Sequence, residues 1–288
     1  MVRKPVVSGM FYADNTAGLD EQIKECFEGK FGPGSLPVER RDKKIIGVIA
    51  PHAGYQFSGA GQAWCYKEIG ESEFADRYII LGTTHIGFPT AAVMIDKFET
   101  PYGKVEVDEK FVKSLFDKGA VIENKLAHQN EHSIEVQLPF LQFVNKEKLK
   151  QLKIVPIVVG RETDYGKVGK AIATTIKQFG GKTIIICSSD FTHYGVHYGY
   201  IPFRNAKDKL KDFDMEAIKW IKKLDSWSFI THVNETEATI CGAYAIAVFI
   251  EVCKELGAKK VDVVNYYNSG DIVGDYSNAV GYASIIVE

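Results

Sequence analysis

The sequence predicts an α/β layered fold with a mostly parallel or mixed central sheet flanked by helices, and three observations carry that reading. Short runs rich in β-branched residues recur along the chain, several of them apolar on both faces, as strands covered by helices on both sides must be. Segments with the helical spacing of apolar residues lie between them. Three runs stop on polar, metal-competent side chains: IIGVIAPHAGY (45–55) on His52, YIILGTTH (78–85) on His85, and CSSDFTH (187–193) on Asp190 and His193.

Taken in order, the first predicted strand is KIIGVIA (44–50), followed by a helical pattern in SGAGQAWCYKEI (58–69). YIILG (78–82) and AAVMI (91–95) are strands, and VDEKFVKSLFDKG (107–119) is a helix. EHSIEVQLPFLQFV (131–144) is expected to be a helix capped by Asn130, with Glu131 and Glu135 one turn apart and Ile134 and Leu138 packed inward. Its EH start suggests a zinc-protease HExxH, but the second histidine is missing. KIVPIVVG (153–160) and KTIIIC (182–187) are strands separated by the helix YGKVGKAIATTIKQFG (165–180). Two further helices, NAKDKLKDFDMEAIKWIKKL (205–224) and CGAYAIAVFIEVCKELG (241–257), precede the strands KVDVVNYY (260–267) and YASIIV (282–287). The Gly- and Pro-rich stretch 29–44 is a loop, and too little chain precedes it for a separate unit. The expectation is one domain over 1–288, with 1–43 as an N-terminal extension packed on the core.

Composition excludes more than it identifies. A formal net charge of −2 provides no field for nucleic acid or an anionic membrane. Basic residues are scattered among acids rather than gathered in a stripe with aromatics, so no nucleic-acid partner is expected. The most apolar segment, 241–250, is about half the length of a bilayer span, and the N-terminus has no signal-peptide pattern, so no membrane association is expected. Five cysteines, without a CxxC pair, suggest reduced thiols in a cytoplasmic protein. No phosphate loop, dinucleotide fingerprint or GxSxG elbow is present. The sequence leaves oligomeric state open, a homo-oligomer included.

In open α/β sheets, ligands bind beyond the carboxyl ends of the strands, so His52, His85, Asp190 and His193 can meet although they are far apart in sequence. Pro51 and Gly54 frame His52 on a stiff turn. Thr83 and Thr84 offer hydroxyls suited to orienting a ligand imidazole. A carboxylate beside a histidine, as in Asp190 and His193, serves acid/base catalysis, metal binding or the orientation of a neighbouring ligand. Cys241 stands near the start of an apolar helix, where the helix end should lower its thiol pKa and make it the cysteine best suited to be a thiolate or metal ligand.

Taken together, APHAGY (50–55), LGTTH (81–85), EHSIEVQLPF (131–140), SSDFTHYG (188–195) and TICG (239–242), in that order, closely resemble the Memo family. That family is named for a human mediator of receptor-driven cell motility and has relatives in archaea and bacteria. SGMFY (8–12) is similar to the family's opening segment, so the resemblance covers essentially the whole chain. It implies a fold similar to that of class III extradiol dioxygenases, non-haem iron enzymes that open catechol rings. Carried over motif by motif, the metal positions fall on His52, His85 and Cys241, with Asp190 and His193 lining the same pocket as catalytic residues. A cysteine stands where the dioxygenases have a carboxylate. Two imidazoles and a thiolate suit iron or copper and also accept zinc.

The resemblance thus implies a metal-dependent oxidoreductase of dioxygenase type, in which Asp190 orients a ligand or transfers protons and His193 acts as acid or base on oxygen or substrate. The alternative is a non-catalytic binding module whose pocket takes a phenolic small molecule or a peptide, since the animal family is linked to phosphotyrosine-containing receptor peptides. A metal-dependent hydrolase is a third reading, with neither HExxH nor a two-metal carboxylate cluster to support it.

Overall fold

The computed structural model describes residues 1–41 and 43–288. Its strands are β1 (Val2–Arg3), β2 (Gly47–Ala50), β3 (Arg77–Thr83), β4 (Ala92–Val93), β5 (Lys97–Thr100), β6 (Gly103–Val107), β7 (Ile122–Glu123), β8 (Lys153–Val159), β9 (Thr183–Ser188), β10 (His193–Gly195), β11 (Val261–Asn268) and β12 (Asn278–Val287). Its helices are α1 (Thr16–Glu28), α2 (Tyr55–Glu71), α3 (Glu109–Asp117), α4 (Leu126–Gln129), α5 (Gln137–Phe143), α6 (Tyr165–Phe179), α7 (Ala206–Lys222), α8 (Ser226–Thr236), α9 (Ala243–Glu255) and α10 (Ser269–Val273). No helix among the described residues is long and apolar enough to cross a membrane.

The centre of the sheet runs β6-β8-β3-β9-β2, every neighbouring pair parallel. Strands β3 and β9 are buried along nearly their whole length, which explains runs such as YIIL and IIIC with no polar alternation. Antiparallel strands complete both ends. β5 pairs with β6 on one side, and β12 pairs with β2 on the other while also carrying β10 and β11. The predicted α/β class with a mixed sheet is therefore the observed one.

Pro156 lies within β8, where a residue without an N–H would break a ladder. It is tolerated because β8 changes partner there: β6 pairs at Lys153 and Ile154, and β4 pairs at Ile157 and Val158. Neighbouring tyrosines of β11 show where the two helical layers lie. Tyr266 bonds Asp214 of α7, and Tyr267 bonds Phe57 and the amide of Gly61 in α2, so α7 and α2 cover opposite faces.

The expected helix over 131–144 is only its second half. Asn130 closes α4 rather than capping a new helix, residues 130–136 form turns, and α5 starts at Gln137. Pro139 accounts for this: in the first turn of α5 its missing N–H is harmless, whereas in a helix begun at 131 it would sit in the interior. Ile134 and Leu138 are buried as expected. Glu131 and Glu135 are buried too, so a solvated helix end is excluded.

Glu135 ties down the N-terminal segment. Its carboxylate accepts from the Arg3 guanidinium at 2.8 Å, from the amides of Val6 and Val7, and from the Tyr12 hydroxyl at 2.8 Å. Phe11, carried by this segment, stands edge-on to His132 at 5.0 Å. The segment thereby becomes part of the wall of the candidate site.

Candidate functional site

β3, β9 and β2 are adjacent and parallel, so their carboxyl ends open on the same edge of the sheet. β2 ends at Ala50, β3 at Thr83 and β9 at Ser188. His52, His85 and Asp190 each follow two residues later, and the shared offset brings them together. His52 and His85 have ring centroids 5.3 Å apart, nearly perpendicular. Cys241 joins them from the segment before α9, its Sγ 3.2 Å from His52 Nε2. The nearest ligand atoms of His52, His85 and Cys241 all lie within 4.8 Å of one another. A first-row ion with bonds of about 2.0–2.3 Å sits among donors roughly 3.3–3.8 Å apart, so small side-chain rotations would close the three around one ion.

The hydrogen bonds around His52 fix its tautomer. Ser188 Oγ donates its one hydrogen to the Ser133 carbonyl at 2.6 Å and accepts from Gln137 Nε2 at 2.8 Å. Its contact with His52 Nδ1 at 3.0 Å must then be accepted from an Nδ1–H, which leaves the Nε2 lone pair facing Cys241. His85 is arranged in the same way by a different residue. Its Nδ1 bonds Glu131 Oε1 at 2.9 Å while its backbone N–H donates to Oε2 at 2.6 Å. Both imidazoles are thus oriented through Nδ1, the arrangement that outer hydrogen bonds give to metal-binding histidines.

The charges follow from these contacts. Burial alone would push the Glu131 carboxyl up, but hydrogen bonds and charge from His85, with the His85 and Ser133 amides, hold it at about 2. In return His85 is raised above its ordinary value, Glu131 overcoming burial. His52 lies well below the ordinary imidazole range because it is buried and faces His85, His132 and His193. Asp190 is raised by burial, with its Oδ1 accepting the His52 amide at 2.7 Å.

Cys241 corrects the expectation of a lowered thiol. α9 begins at Ala243 after an N-cap at Gly242, so Cys241 precedes the helix. Desolvation and the facing Asp190 carboxylate push its thiol up, against hydrogen bonds from the Asp190 amide and Ser189. Its sulfur accepts the Asp190 amide at 3.3 Å. Gly242 makes this approach feasible, since a Cβ there would lie 2.5 Å from Ser189. The threonines also differ from expectation. Thr83 donates to the Cys241 carbonyl and Thr84 accepts from the Phe88 amide, leaving Glu131 to orient His85. Gly54 has φ −55°, which any residue adopts, so the turn after His52 needs no glycine freedom.

His193 begins β10 rather than a helix. Its Nδ1 is 3.0 Å from the carbonyls of both Phe191 and Thr239, so Nδ1 carries a hydrogen. Two open cavities meet at His85, His193 and Tyr198. One, of about 570 Å³, is lined by Phe11, His52, His132, Asp190 and Tyr282, and the other, of about 700 Å³, by Arg161, Thr239, Cys241 and Tyr244. Asp190 and His193 thus share the cavity that His52 and His85 face.

Sequence reasoning missed the roles of Ser188, Gln137 and His132. His132 stacks on His85 with centroids 4.3 Å apart and stands edge-on to His52 at 5.6 Å. Burial and the neighbouring His85 lower it to about 4, so it is neutral at pH 7. The EHS triplet beside a candidate ligand strand was the available signal.

A family model described as Memo-like protein matches residues 3–286. A MEMO1 family protein of Methanopyrus kandleri is 39% identical over 291 residues, covering 99% of each chain. MEMO1 family proteins of Pyrococcus furiosus and Methanocaldococcus jannaschii are 37% and 38% identical, each aligned over 100% of this chain and 99% of their own. With its strand-end histidines, the EHS turn and the cysteine before α9 all inside the matched region, the chain belongs to the Memo-like protein family.

Proposed function

We propose that the chain binds one redox-active transition metal, iron or copper, through His52, His85 and Cys241 and uses it in an oxidoreductase reaction of non-haem dioxygenase type. The observation that supports this reading is that both imidazoles spend Nδ1 on hydrogen bonds and turn Nε2, with the Cys241 sulfur, toward one space. The donor set fits: two imidazole nitrogens and one sulfur suit copper and iron and accept zinc. When bound, such an ion supplies Lewis acidity and a one-electron couple.

The chain's own residues supply the rest. His193, its Nδ1 held by the Phe191 and Thr239 carbonyls and its ring lining both cavities, takes a proton from a hydroxyl of the ligand. Asp190 fixes the backbone of His52 and holds a second proton-accepting position beside it. Phe11, Phe57 and Tyr282 give the cavity an apolar wall against which an aromatic ligand can pack. The five free thiols fit a reducing cytoplasmic setting.

The test is metal analysis of protein purified anaerobically without a tag, beside the triple variant His52→Ala, His85→Ala, Cys241→Ser. About one iron or copper per chain, lost in the variant, together with oxygen uptake on catechols, is the expected result. Negligible metal that added Fe(II) or Cu(I) does not restore would sink the reading. A non-catalytic binding module is the second reading, favoured by the aromatic wall that Phe11, Phe57 and Tyr282 give the cavity beside His52 and His85, and stoichiometric binding of phenols without turnover would select it.

Glu131→Gln keeps the shape of the His85 partner and removes its charge. Metal affinity is expected to fall about 10–100-fold, measured by competition with a chromogenic chelator. Unchanged affinity would show that Glu131 does not orient a ligand.

A further inference from the structure

β11 is an edge strand. Its one partner in the sheet is β12, and its other side faces a groove of about 610 Å³ between the strand and α7. Val263, Val264, Asn265 and Tyr266 form the strand side of that groove, and Lys211, Lys219 and Lys222 form the helix side. These lysines fall on one stripe of α7, spaced by eight and three residues. Lys219 is paired with Glu216 at 3.2 Å, while Lys211 and Lys222 have no acidic partner among the described residues. Among the described residues no carboxylate lines the groove.

A long edge of half-buried residues with unpaired backbone groups is a template for another strand. A register shift between Val263 and Asn265 bends β11, which disfavours a flat pairing between two copies. Two copies meeting edge to edge would also bring two rows of lysines together. We propose that this edge docks an extended acidic segment of a partner protein, which adds to β11 as a further strand. Side chains of an added strand alternate between faces. One row would lie on the α7 face beside Lys211, Lys219 and Lys222, and the other on the α2 face, where the 29–34 loop is held by the bond from Asn265 to the Phe31 carbonyl. The preferred segment alternates acidic and apolar residues. This surface is separate from the metal centre and does not depend on it.

The test uses the full chain and a fluorescein-labelled octapeptide alternating glutamate and valine, with the lysine and valine octapeptide as control. The acidic peptide is expected to bind at low salt, the basic one not, and Lys211→Glu with Lys222→Glu to weaken binding at least about tenfold. Both lysines are exposed, so the double variant should fold and load metal as the parent does. Hydrogen exchange should slow at alternate amides of 262–266, and N-methylation of alternate peptide amides should abolish binding. Equal binding of both peptides, or full binding of the N-methylated one, would overturn strand addition. Concentration-dependent dimerisation with protection of the same amides would assign the edge to a second copy instead.

Discussion

Replacing Glu135 by alanine is expected to destabilise the chain by about 3–5 kcal/mol, because it leaves a buried guanidinium uncompensated. Arg3 and Glu135 have side chains 5% and 0% exposed, so water cannot replace the lost partner. The same substitution strands the amides of Val6 and Val7 and the hydroxyl of Tyr12. Urea unfolding of Glu135→Ala should show a lower midpoint with an unchanged slope if residues 1–43 belong to the same cooperative unit as the sheet. A separate early transition for the N-terminal segment would show that it folds independently. The double variant Arg3→Met, Glu135→Leu should recover only the part of the loss that comes from the uncompensated guanidinium, since the Val6 and Val7 amides and the Tyr12 hydroxyl stay without the carboxylate. Near-parental stability of Glu135→Ala itself would refute this account of the segment.

Asp214→Asn is expected to flatten the pH dependence of stability. Asp214 is buried, and burial raises its carboxyl to about 6 against hydrogen bonds from Thr192 and Tyr266. No cation pairs with it among the described residues; the groups facing it are Tyr266 of β11, Tyr200 and the Thr192 amide. Below pH 4 the carboxyl is protonated in both folded and unfolded chains. Between about 4 and 6 the unfolded chain releases the proton first, so stability falls with rising pH, and above 6 the loss is constant at roughly 3 kcal/mol. The stability difference between parent and Asp214→Asn should therefore shift by about 2–3 kcal/mol between pH 4.5 and 7.5 in favour of the variant. A difference that does not change with pH would contradict the assignment. Asp214 also bears on the site: Thr192 adjoins His193, and a Cβ on Gly281 would come within 2.1 Å of Asp214 Oδ2. Bulk at Gly281 should consequently disturb the segment between β9 and β10, which carries Asp190, leads into His193 and bonds Gly281 through Phe191 and Thr192.

The positions of His52, His85 and Asp190 were legible because each lies two residues beyond a β-branched run, and parallel strands point their ends the same way. Their hydrogen-bond partners were not. Ser188 reaches His52 across 136 positions, Gln137 reaches Ser188 across 51, and Glu131 reaches His85 across 46, separations that carry no periodic signal. The helix expected at 131 failed on Pro139, a residue visible in the sequence whose constraint outweighed the spacing of Glu131 and Glu135. α1 was missed although Leu19, Ile23, Cys26 and Phe27 are buried at helical spacing and Asn15 caps it. The β5–β6 hairpin was missed because its two strands are short and join through Pro101 and Tyr102, with Gly103 at φ 105°. Cys241 stands beside His52, but its raised thiol follows from burial and from Asp190, which is remote in sequence.

β12 gives the chain a particular order of assembly. Ile285 pairs with Ile49, Val280 with His193 and Val287 with Val261, so one late segment bridges partners synthesised far apart in time. On a ribosome, β2 would emerge with one side of its ladder unmet until more than two hundred further residues had been added. Closing contacts that distant slows folding and prolongs exposure of the nascent sheet. Cells making this protein should therefore need a holding chaperone over the interval between β2 and β12, and the basin that gathers His52, His85 and His193 would take its final shape only after translation has passed β12.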